Sequence, residues 1–289
     1  MAVGRLLVMY AALMGVFVGF GWLIASVFAG NFLLITALFV VFAVLMNAGA
    51  YFFSDRIVLF TYRARFVTEA EHPRLHTIVK RVAGLSGVPM PRVALVPSRT
   101  PNAFATGHSP KRAVVAATEG ILDLLDDREL TGVIAHEMSH VSNRDILVTS
   151  VAATLAGAIS IMARSVLWGS LLGGGRKGRD NGGAILLVIL GSVAAGLAAL
   201  LIRLAISRSR EYKADYTGAK VLGTPTALAD ALQKLETANK RRPLEFGNPS
   251  HASLFIVNPF QGASLMGLFS THPPMKERVR RLRAMSRTP

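Results

Sequence analysis

The stretch Gly132-Val-Ile-Ala-His-Glu-Met-Ser-His-Val141 decides the fold of this chain. It carries His136 and His140, four residues apart, with Glu137 beside the first histidine. Residues i and i+4 of an α-helix lie on one face, so both imidazoles can bind one metal ion. Glu137 points to the neighbouring sector, where it can take a proton from an attacking water molecule without binding the metal. The spacing is typical of zinc peptidases, and the alternative is a buried helix with two hydrogen-bonded histidines.

The residues around this motif favour a helix. No proline interrupts it, and Asp126 and Asp127 supply the polar signal that precedes the N-terminal end of a helix. Its apolar positions are Val133, Ile134, Met138 and Val141. The sequence therefore predicts that the two histidines share one helix face.

The composition differs from that of an ordinary soluble domain. The chain has 289 residues, of which 52% are hydrophobic and 17% are charged. It has no cysteine, so a disulfide framework is excluded and a metal must be held by histidine and carboxylate. No nucleic-acid-binding signature accompanies the net charge of +15. Because the basic residues lie largely beside apolar runs, they favour the cytoplasmic face of a membrane with anionic lipids.

Residues 1–53 are predicted to form a transmembrane hairpin. Two apolar runs, 6–28 and 32–53, are separated by three residues, and each is long enough to span a bilayer. A cleaved signal peptide is the alternative for the first run, but the second run follows it at once. Charged residues come next and place the following segment in the cytoplasm; they are Asp55, Arg56, Arg63 and Arg65.

Residues 54–145 are predicted to form the first part of a catalytic domain. Helical spacing covers 73–85, and residues 119–125 suggest a short helix before the motif. Residues 92–96 and 113–117 are predicted strands.

The run Asn102-Ala103-Phe104-Ala105-Thr106-Gly107 lies between these two strands. From composition alone it is a loop or a strand edge. A functional interpretation is an edge strand beside the metal, which an extended peptide substrate would lengthen by β-augmentation.

Residues 146–206 are predicted to form a second membrane hairpin. The apolar runs 146–168 and 184–206 are rich in the small residues that let membrane helices approach closely. Each run has an internal arginine, and the turn between them carries three basic residues, which is unusual for an outward-facing turn. If both runs cross the membrane, the segments that flank the hairpin meet at the same membrane surface.

Residues 207–289 are predicted to complete the catalytic domain. Glu211 and Asp215 are four residues apart and share a helix face. Glu211 suits the third metal ligand, and Asp215 suits a carboxylate that accepts the N–H of a ligating imidazole. The alternative is a solvated helix with charge pairs. The second hairpin favours the metal site because it brings His140 and Glu211 to one side of the membrane.

The remaining C-terminal part contains an irregular segment and a basic helix. Residues 244–268 fit a lid, a substrate-binding loop or a plain surface loop. The helix that follows, to Met285, has Val279 and Leu282 on its apolar side. His251 and His272 are candidates for polarising a scissile carbonyl, although lone histidines are more often structural.

Several motifs in this order resemble the HtpX family of membrane-bound zinc metalloproteases, which is related to the CAAX prenyl proteases. The resemblance covers essentially the whole chain, including both predicted hairpins. The short segments that carry it are Asn102–Gly107, His136–His140 with Asn143-Arg-Asp145, Arg210–Asp215, Asn258-Pro259, Leu268–Pro274 and Glu277-Arg278.

The resemblance implies a role for each matching residue. It makes Glu137 the general base, and it makes three residues the ligands of one zinc ion per subunit: His136, His140 and Glu211. Asp215 falls at the carboxylate behind the ligands, and His272 and Arg278 fall where related enzymes have a histidine and an arginine near the substrate. The resemblance also implies a multi-pass protein of the bacterial inner membrane with a cytoplasmic site. It implies quality control under stress, and self-cleavage on solubilisation.

We therefore expect an α-helical integral membrane protein with a mainly α, zincin-like metalloprotease domain that contains a small β-sheet (α+β). Its expected activity is hydrolysis of peptide bonds in unfolded or damaged membrane proteins, with the anionic bilayer as its other partner and no nucleic acid. Three alternatives stay open: a processing peptidase for prenyl proteins, a non-catalytic zinc-stabilised scaffold, and a small transporter or channel. The last would leave the motif helix without a purpose.

Overall fold

The computed structural model describes residues 2–27, 32–173, 208–260 and 273–286, together with Gly196. The helices in this part of the chain are α1 (Ala2–Val27), α2 (Phe32–Thr61), α3 (Pro73–Leu85), α4 (Glu119–Leu124), α5 (Asp127–Ser142), α6 (Ile146–Gly173), α7 (Arg208–Leu222), α8 (Pro225–Arg241) and α9 (Met275–Met285). The strands are β1 (Arg65–Phe66), β2 (Arg92–Val96), β3 (Ala103–Gly107) and β4 (Ala113–Thr118). Short 3-10 turns cover Pro110–Arg112 and Pro249–Leu254. The described part of the chain is mostly helical with one small sheet, as predicted.

The four strands form one mixed sheet in the order β1-β2-β4-β3. Strands β2 and β4 pair in parallel, and the other two pairs are antiparallel. Strands β3 and β4 are buried along their whole length, and their small and β-branched side chains allow layers to pack on both faces. The sheet confirms that residues 103–107 form an edge strand. It also adds β1, which was not predicted.

Helix α5 lies in the middle of the core, where it contacts α3, α7, α8 and strands β3 and β4. Its start is fixed by Asp126, whose carboxylate accepts the N–H of Glu129 at 2.8 Å. Glu129 in turn accepts the N–H of Asp126 at 3.1 Å, which completes a capping box and confirms the predicted start. Gly132 lets α8 come close, because a Cβ there would lie 2.7 Å from the backbone nitrogen of Leu228.

Helices α1, α2 and α6 form an apolar layer beside this core. Within the described residues, α2 has the one stretch long and apolar enough to cross a membrane, Leu33–Thr61, and most of that stretch is exposed. The apolar parts of α1 and α6 are shorter, Leu6–Gly19 and Ile146–Ile159. The second of these is largely buried in protein. Apart from Gly196, the predicted run 184–206 and the basic turn before it lie outside the described residues.

Helix α2 is two turns longer than predicted. It continues past Phe53 because Val58 and Leu59, which follow the charged residues, are buried in the core. The chain then turns at Arg63, whose φ is 53°. The apolar layer and the catalytic core therefore share one continuous helix.

The C-terminal segment 244–260 is not a plain surface loop. Its residues Leu254, Phe255 and Ile256 are buried, and it lies against α6 and β3. Helix α9 follows and buries Val279 and Leu282, as predicted.

Candidate metal centre

Three side chains from two helices converge beside β3. Helix α5 presents His136 and His140 one turn apart, and α7 brings Glu211. The two Nε2 atoms lie 3.3 Å apart, and oxygens of Glu211 lie 3.7 Å from His136 Nε2 and 3.5 Å from His140 Nε2. One ligand atom from each of the three residues can be chosen so that all lie within 4.8 Å of one another. The structure thus brings together the three residues that the sequence singled out.

The chemistry of these donors fits a divalent cation. His136 Nδ1 lies 2.9 Å from an oxygen of Asp215, so its N–H donates there and leaves the Nε2 lone pair facing the cluster. The Nε2 lone pairs of the two histidines and the carboxylate of Glu211 repel one another at 3.3–3.7 Å unless a cation or a proton lies between them. Two histidines and one carboxylate are also a donor set of catalytic zinc sites.

Asp215 is held in place by Arg278, whose side chain is fully buried. The guanidinium donates to both oxygens of Asp215, at 2.8 Å and 2.7 Å. Burial opposes a charged carboxylate, but this ion pair outweighs it and lowers the pKa of Asp215 to about 2. A third donor goes to the backbone oxygen of Ile256, at 3.0 Å. Arg278 therefore lies beside Asp215, on the Nδ1 side of His136, and is not among the residues that line the cavity.

Asp145 lies beside the second histidine and was given no role from the sequence. One oxygen lies 3.8 Å from His140 Nδ1 and the other 3.4 Å from Arg210 Nη1. Burial disfavours a charged His140, but Asp145 and the neighbouring carboxylates outweigh it and raise the pKa of His140 to about 9. The cluster thus attracts positive charge. The sequence could have indicated a role for Asp145, because it lies three residues beyond the end of α5. Arg144, whose φ is 59°, turns the chain there and brings Asp145 beside His140.

Glu137 is buried and lines the same cavity as the two histidines. Burial raises the pKa of Glu137 to about 8, although the charge of His140 and the backbone N–H of Ala105 lower it. A carboxyl group with a pKa near neutrality can both accept and return a proton.

The cavity at this cluster is small, about 30 Å³, which is room for little more than water. One wall is residues 253–257, here called the covering segment, of which four residues line the cavity. The N–H of Ile256 donates to the oxygen of Ala103 at 3.2 Å, so this segment runs along the outer edge of β3. Within the described residues, the covering segment thus occupies the edge of β3 that faces the cluster.

Of the six residues predicted to bind substrate, Asn102–Gly107, one lines the cavity and three have side chains that pack or bond elsewhere. Ala105 lines the cavity. The side-chain amide of Asn102 donates to the covering segment at 2.6 Å, Phe104 packs between aromatic rings, and the Thr106 hydroxyl shares a hydrogen bond with a serine of α6. These three side chains hold the strand in position, so contact with a substrate falls to the backbone.

The two lone histidines considered from the sequence are away from this cluster or beyond the described residues. His272 lies outside the described residues. His251 is buried, packs beside Tyr62, and is absent from the described lining of the metal cavity.

We expect His251 to make the fold sensitive to mild acid. Burial lowers its pKa in the folded protein to about 4, below the value near 6.5 of an unfolded chain. The folded state binds fewer protons between these values, so stability is present above pH 6.5 and is lost as the pH falls towards 4, by up to about 3 kcal/mol. The readout is the thermal midpoint of chelator-treated protein across this range. His251→Gln should flatten the dependence and His72→Gln should not; equal slopes would contradict the prediction.

Gly218 of α7 sets the distance between the helices that carry the three donors. A Cβ at this position would lie 3.0 Å from the backbone of Ala135 and from the nitrogen of His136. We expect Gly218→Ala to push α7 away from α5, to cost about 1–3 kcal/mol and to weaken metal binding. Gly84→Ala is the matched control, since its Cβ meets open space in α3. Chelator competition measures the metal affinity, and an unchanged affinity in Gly218→Ala would refute the proposed spacing role.

Comparison with known proteins identifies the family of this chain. Residues 69–286 match the family described as Peptidase family M48. The chain is 53% identical over 247 residues to the protein named Protease HtpX homolog of Syntrophobacter fumaroxidans, covering 85% of this chain and 88% of the relative. It is 52% identical over 276 residues to the HtpX homolog of Pyrococcus furiosus, covering 96% of this chain and 93% of the relative. A crystal structure of Ste24p from S. mikatae matches with a TM-score of 0.49 and 19% identity, covering 96% of this chain and 64% of that one.

The family match spans most of the chain and contains all three converging side chains. The family implies a divalent metal ion, and the donor set described above fits one. The chain belongs to peptidase family M48 and is a metalloprotease.

Proposed function

We propose that this metalloprotease is a zinc-dependent endopeptidase, embedded in the cytoplasmic membrane, that cleaves misfolded or damaged membrane proteins at the cytoplasmic face. The observation that carries the proposal is the convergence of His136, His140 and Glu211 with Glu137 in one buried cavity. Zinc is the proposed ion because two imidazoles and one carboxylate, without any thiolate, are a donor set it uses in hydrolases.

The chain's own residues supply the proton transfers. A bound zinc ion would contribute Lewis-acid activation of water and of the peptide carbonyl. Glu137 takes the proton of the attacking water and then delivers it to the nitrogen of the leaving amine. Its raised pKa supports this double role, because the group is neither a permanent anion nor a permanent acid near neutral pH.

The carboxylates behind the histidines orient the proposed ligands. Asp215 fixes the tautomer of His136 through the short contact at Nδ1. Asp145 lies on the corresponding side of His140, at the longer distance of 3.8 Å, which is a charge contact and not a hydrogen bond. Arg278 acts on the site through Asp215 as a positioning residue.

The substrate enters as an extended strand along the outer edge of β3. The oxygen of Ala103 is already bonded to Ile256, and the N–H of Ala105 faces Glu137, so the edge is occupied in the closed state. A substrate strand replaces the covering segment in those bonds. In a folded protein the backbone N–H and C=O groups are already hydrogen-bonded within the chain. Strand addition therefore supports selectivity for unfolded segments.

The membrane setting is supported by α2, an exposed apolar helix, and by the basic residues that follow it. We propose that α1 crosses with α2 and that residues 146–206 form a second hairpin, which makes the protein multi-pass. The catalytic core then lies at the cytoplasmic surface, against anionic headgroups.

The test is cleavage by full-length protein, purified in detergent with a chelator and then given zinc. We expect zinc to start cleavage of an unfolded protein and of the chain itself, and we expect the same protein in its folded form to resist. Glu137→Ala, purified in parallel, should not cut. If that variant cuts equally well, the activity comes from another site or from a contaminant.

The alternatives predict other patterns. Cleavage restricted to prenylated peptides would favour a processing peptidase, and cleavage of an unprenylated unfolded chain argues against it. Zinc binding without any cleavage by either protein would favour a zinc-stabilised scaffold.

A further inference from the structure

A second cavity, of about 610 Å³, lies between α2, α6 and the segment 246–251, away from the metal centre. One face of α2 forms its long wall, with Leu45, Gly49, Phe53 and Ile57 at four-residue spacing. At the helical rise per residue this wall continues for about 24 Å to Thr61. The cavity is therefore an elongated apolar groove in the stretch of α2 that qualifies as a membrane span.

The end of the groove near Thr61 is polar. His251 lines this end, with its ring centre 5.8 Å from that of Tyr62, and Thr154 also lines the groove. Both residues are more than nine-tenths buried. Among the described residues, neither the Nδ1 atom of His251 nor the hydroxyl of Thr154 has a hydrogen-bond partner. A buried polar atom without a partner costs about 1–3 kcal/mol, so these two atoms call for a ligand that can donate and accept hydrogen bonds.

Arg63 also lines this end and brings a positive charge. Its φ of 53° is a left-handed conformation that glycine adopts without strain and that costs other residues about 1 kcal/mol. The guanidinium lies 5.4 Å from the ring centre of Phe246, another residue of the lining. An arginine at a backbone position that favours glycine suggests that its side chain has a function there.

We propose that this groove binds one anionic phospholipid whose headgroup carries a hydroxyl group, as in phosphatidylglycerol. An acyl chain lies along the apolar face of α2, and the phosphate pairs with Arg63. A hydroxyl of the headgroup donates to His251 Nδ1, which is neutral at physiological pH because burial lowers the pKa of His251 to about 4.

The lining favours a lipid over a water-soluble anion. A small polar ligand would leave four turns of apolar α2 surface in contact with water. An acyl chain covers this surface, which is energetically favourable. The groove also opens on the exposed side of α2, since Leu45 is 64% exposed and Phe53 is 49% exposed. A lipid can therefore enter from the bilayer without passing the metal centre.

Two variants remove different halves of the proposed site. Arg63→Gly removes the cation and relieves the left-handed backbone, so the fold is kept. Gly49→Leu places a side chain in the middle of the groove, where a Cβ meets nothing within 4 Å. The controls are Arg65→Ala, an exposed arginine two residues away, and Gly15→Leu in α1, where a Cβ also meets open space.

The experiment uses zinc-loaded, full-length protein carrying Glu137→Gln to prevent self-cleavage. It is mixed with phosphatidylglycerol or phosphatidylcholine, and native mass spectrometry counts the lipids retained. We expect one retained phosphatidylglycerol, and on the order of tenfold less phosphatidylcholine. Arg63→Gly and Gly49→Leu should each lower phosphatidylglycerol retention by a similar factor, while both controls retain it.

Thermal midpoints without added lipid complete the test. Arg63→Gly should melt at or above the temperature of its parent, so that loss of lipid cannot come from loss of fold. Equal retention of the two lipids, or undiminished retention by Arg63→Gly and Gly49→Leu, would overturn the proposal. Loss of retention in the two controls as well would also overturn it, since binding would then follow overall charge and surface.

Discussion

Glu137→Gln is expected to slow peptide cleavage by about 10²–10⁴-fold and to leave metal binding intact. The amide keeps the size of the carboxyl group and removes its ability to take a proton from water. Glu137 is adjacent to the three converging side chains but is not one of them. The measurements are the cleavage rate of an unfolded substrate and the metal content of the purified variant.

Glu129→Gln is the matched control, because Glu129 is also a buried acid of α5 but belongs to the capping box. It should lower stability, through its lost pairing with Lys234, and leave the cleavage rate per folded molecule near that of the wild type. A Glu137→Gln protein that cuts at the wild-type rate would remove Glu137 from the mechanism.

Arg278→Leu is expected to destabilise the protein by about 3–5 kcal/mol, because it leaves the buried carboxylate of Asp215 without its partner. We also expect metal affinity to fall by about 10–100-fold, since Asp215 then no longer holds His136 in one orientation. Denaturation in detergent gives the first quantity and chelator competition the second. Arg280→Leu, which removes an exposed arginine of the same helix, should cost under about 1 kcal/mol.

The double variant Arg278→Leu with Asp215→Asn separates the two explanations of this arginine. If Arg278 acts by neutralising Asp215, the double variant regains most of the lost stability. If Arg278 contacted the substrate instead, the single variant would raise KM and keep normal metal affinity.

Local sequence patterns were sufficient to predict the features that depend on a single helix. The capping residue Asp126 and the i, i+4 spacing of His136 and His140 are properties of one helix, and the structure has them as predicted. Glu211 required an argument about topology, because its partners lie more than seventy residues earlier in the chain. The structure brings it to the histidines through packing of α7 on α5.

The features that sequence missed depend on long-range packing. The covering segment reads as an irregular loop, and only its contact with Ala103 and Asn102 shows that it lies along a strand. Arg278 was singled out only by the family resemblance, and its burial against Asp215 was not predicted, because nothing local distinguishes it from the exposed arginines of the same helix. The continuation of α2 past Ser54 and Asp55 was missed because two polar residues usually mark the end of an apolar helix, whereas both are buried here.

The hydrogen bond from Arg278 to the backbone of Ile256 joins the metal side of the site to the covering segment. One guanidinium therefore shares its donors between the carboxylate beside His136 and the segment that the proposed substrate strand would displace. A displacement of the segment at Ile256 would remove one hydrogen bond from the arginine that holds the carboxylate beside His136. Coupling of this kind is reciprocal. If metal binding favours the closed segment by some factor, opening the segment lowers the metal affinity by the same factor. If a bound metal ion holds the segment closed, a protease engaged with a substrate strand releases its metal more readily than an idle one.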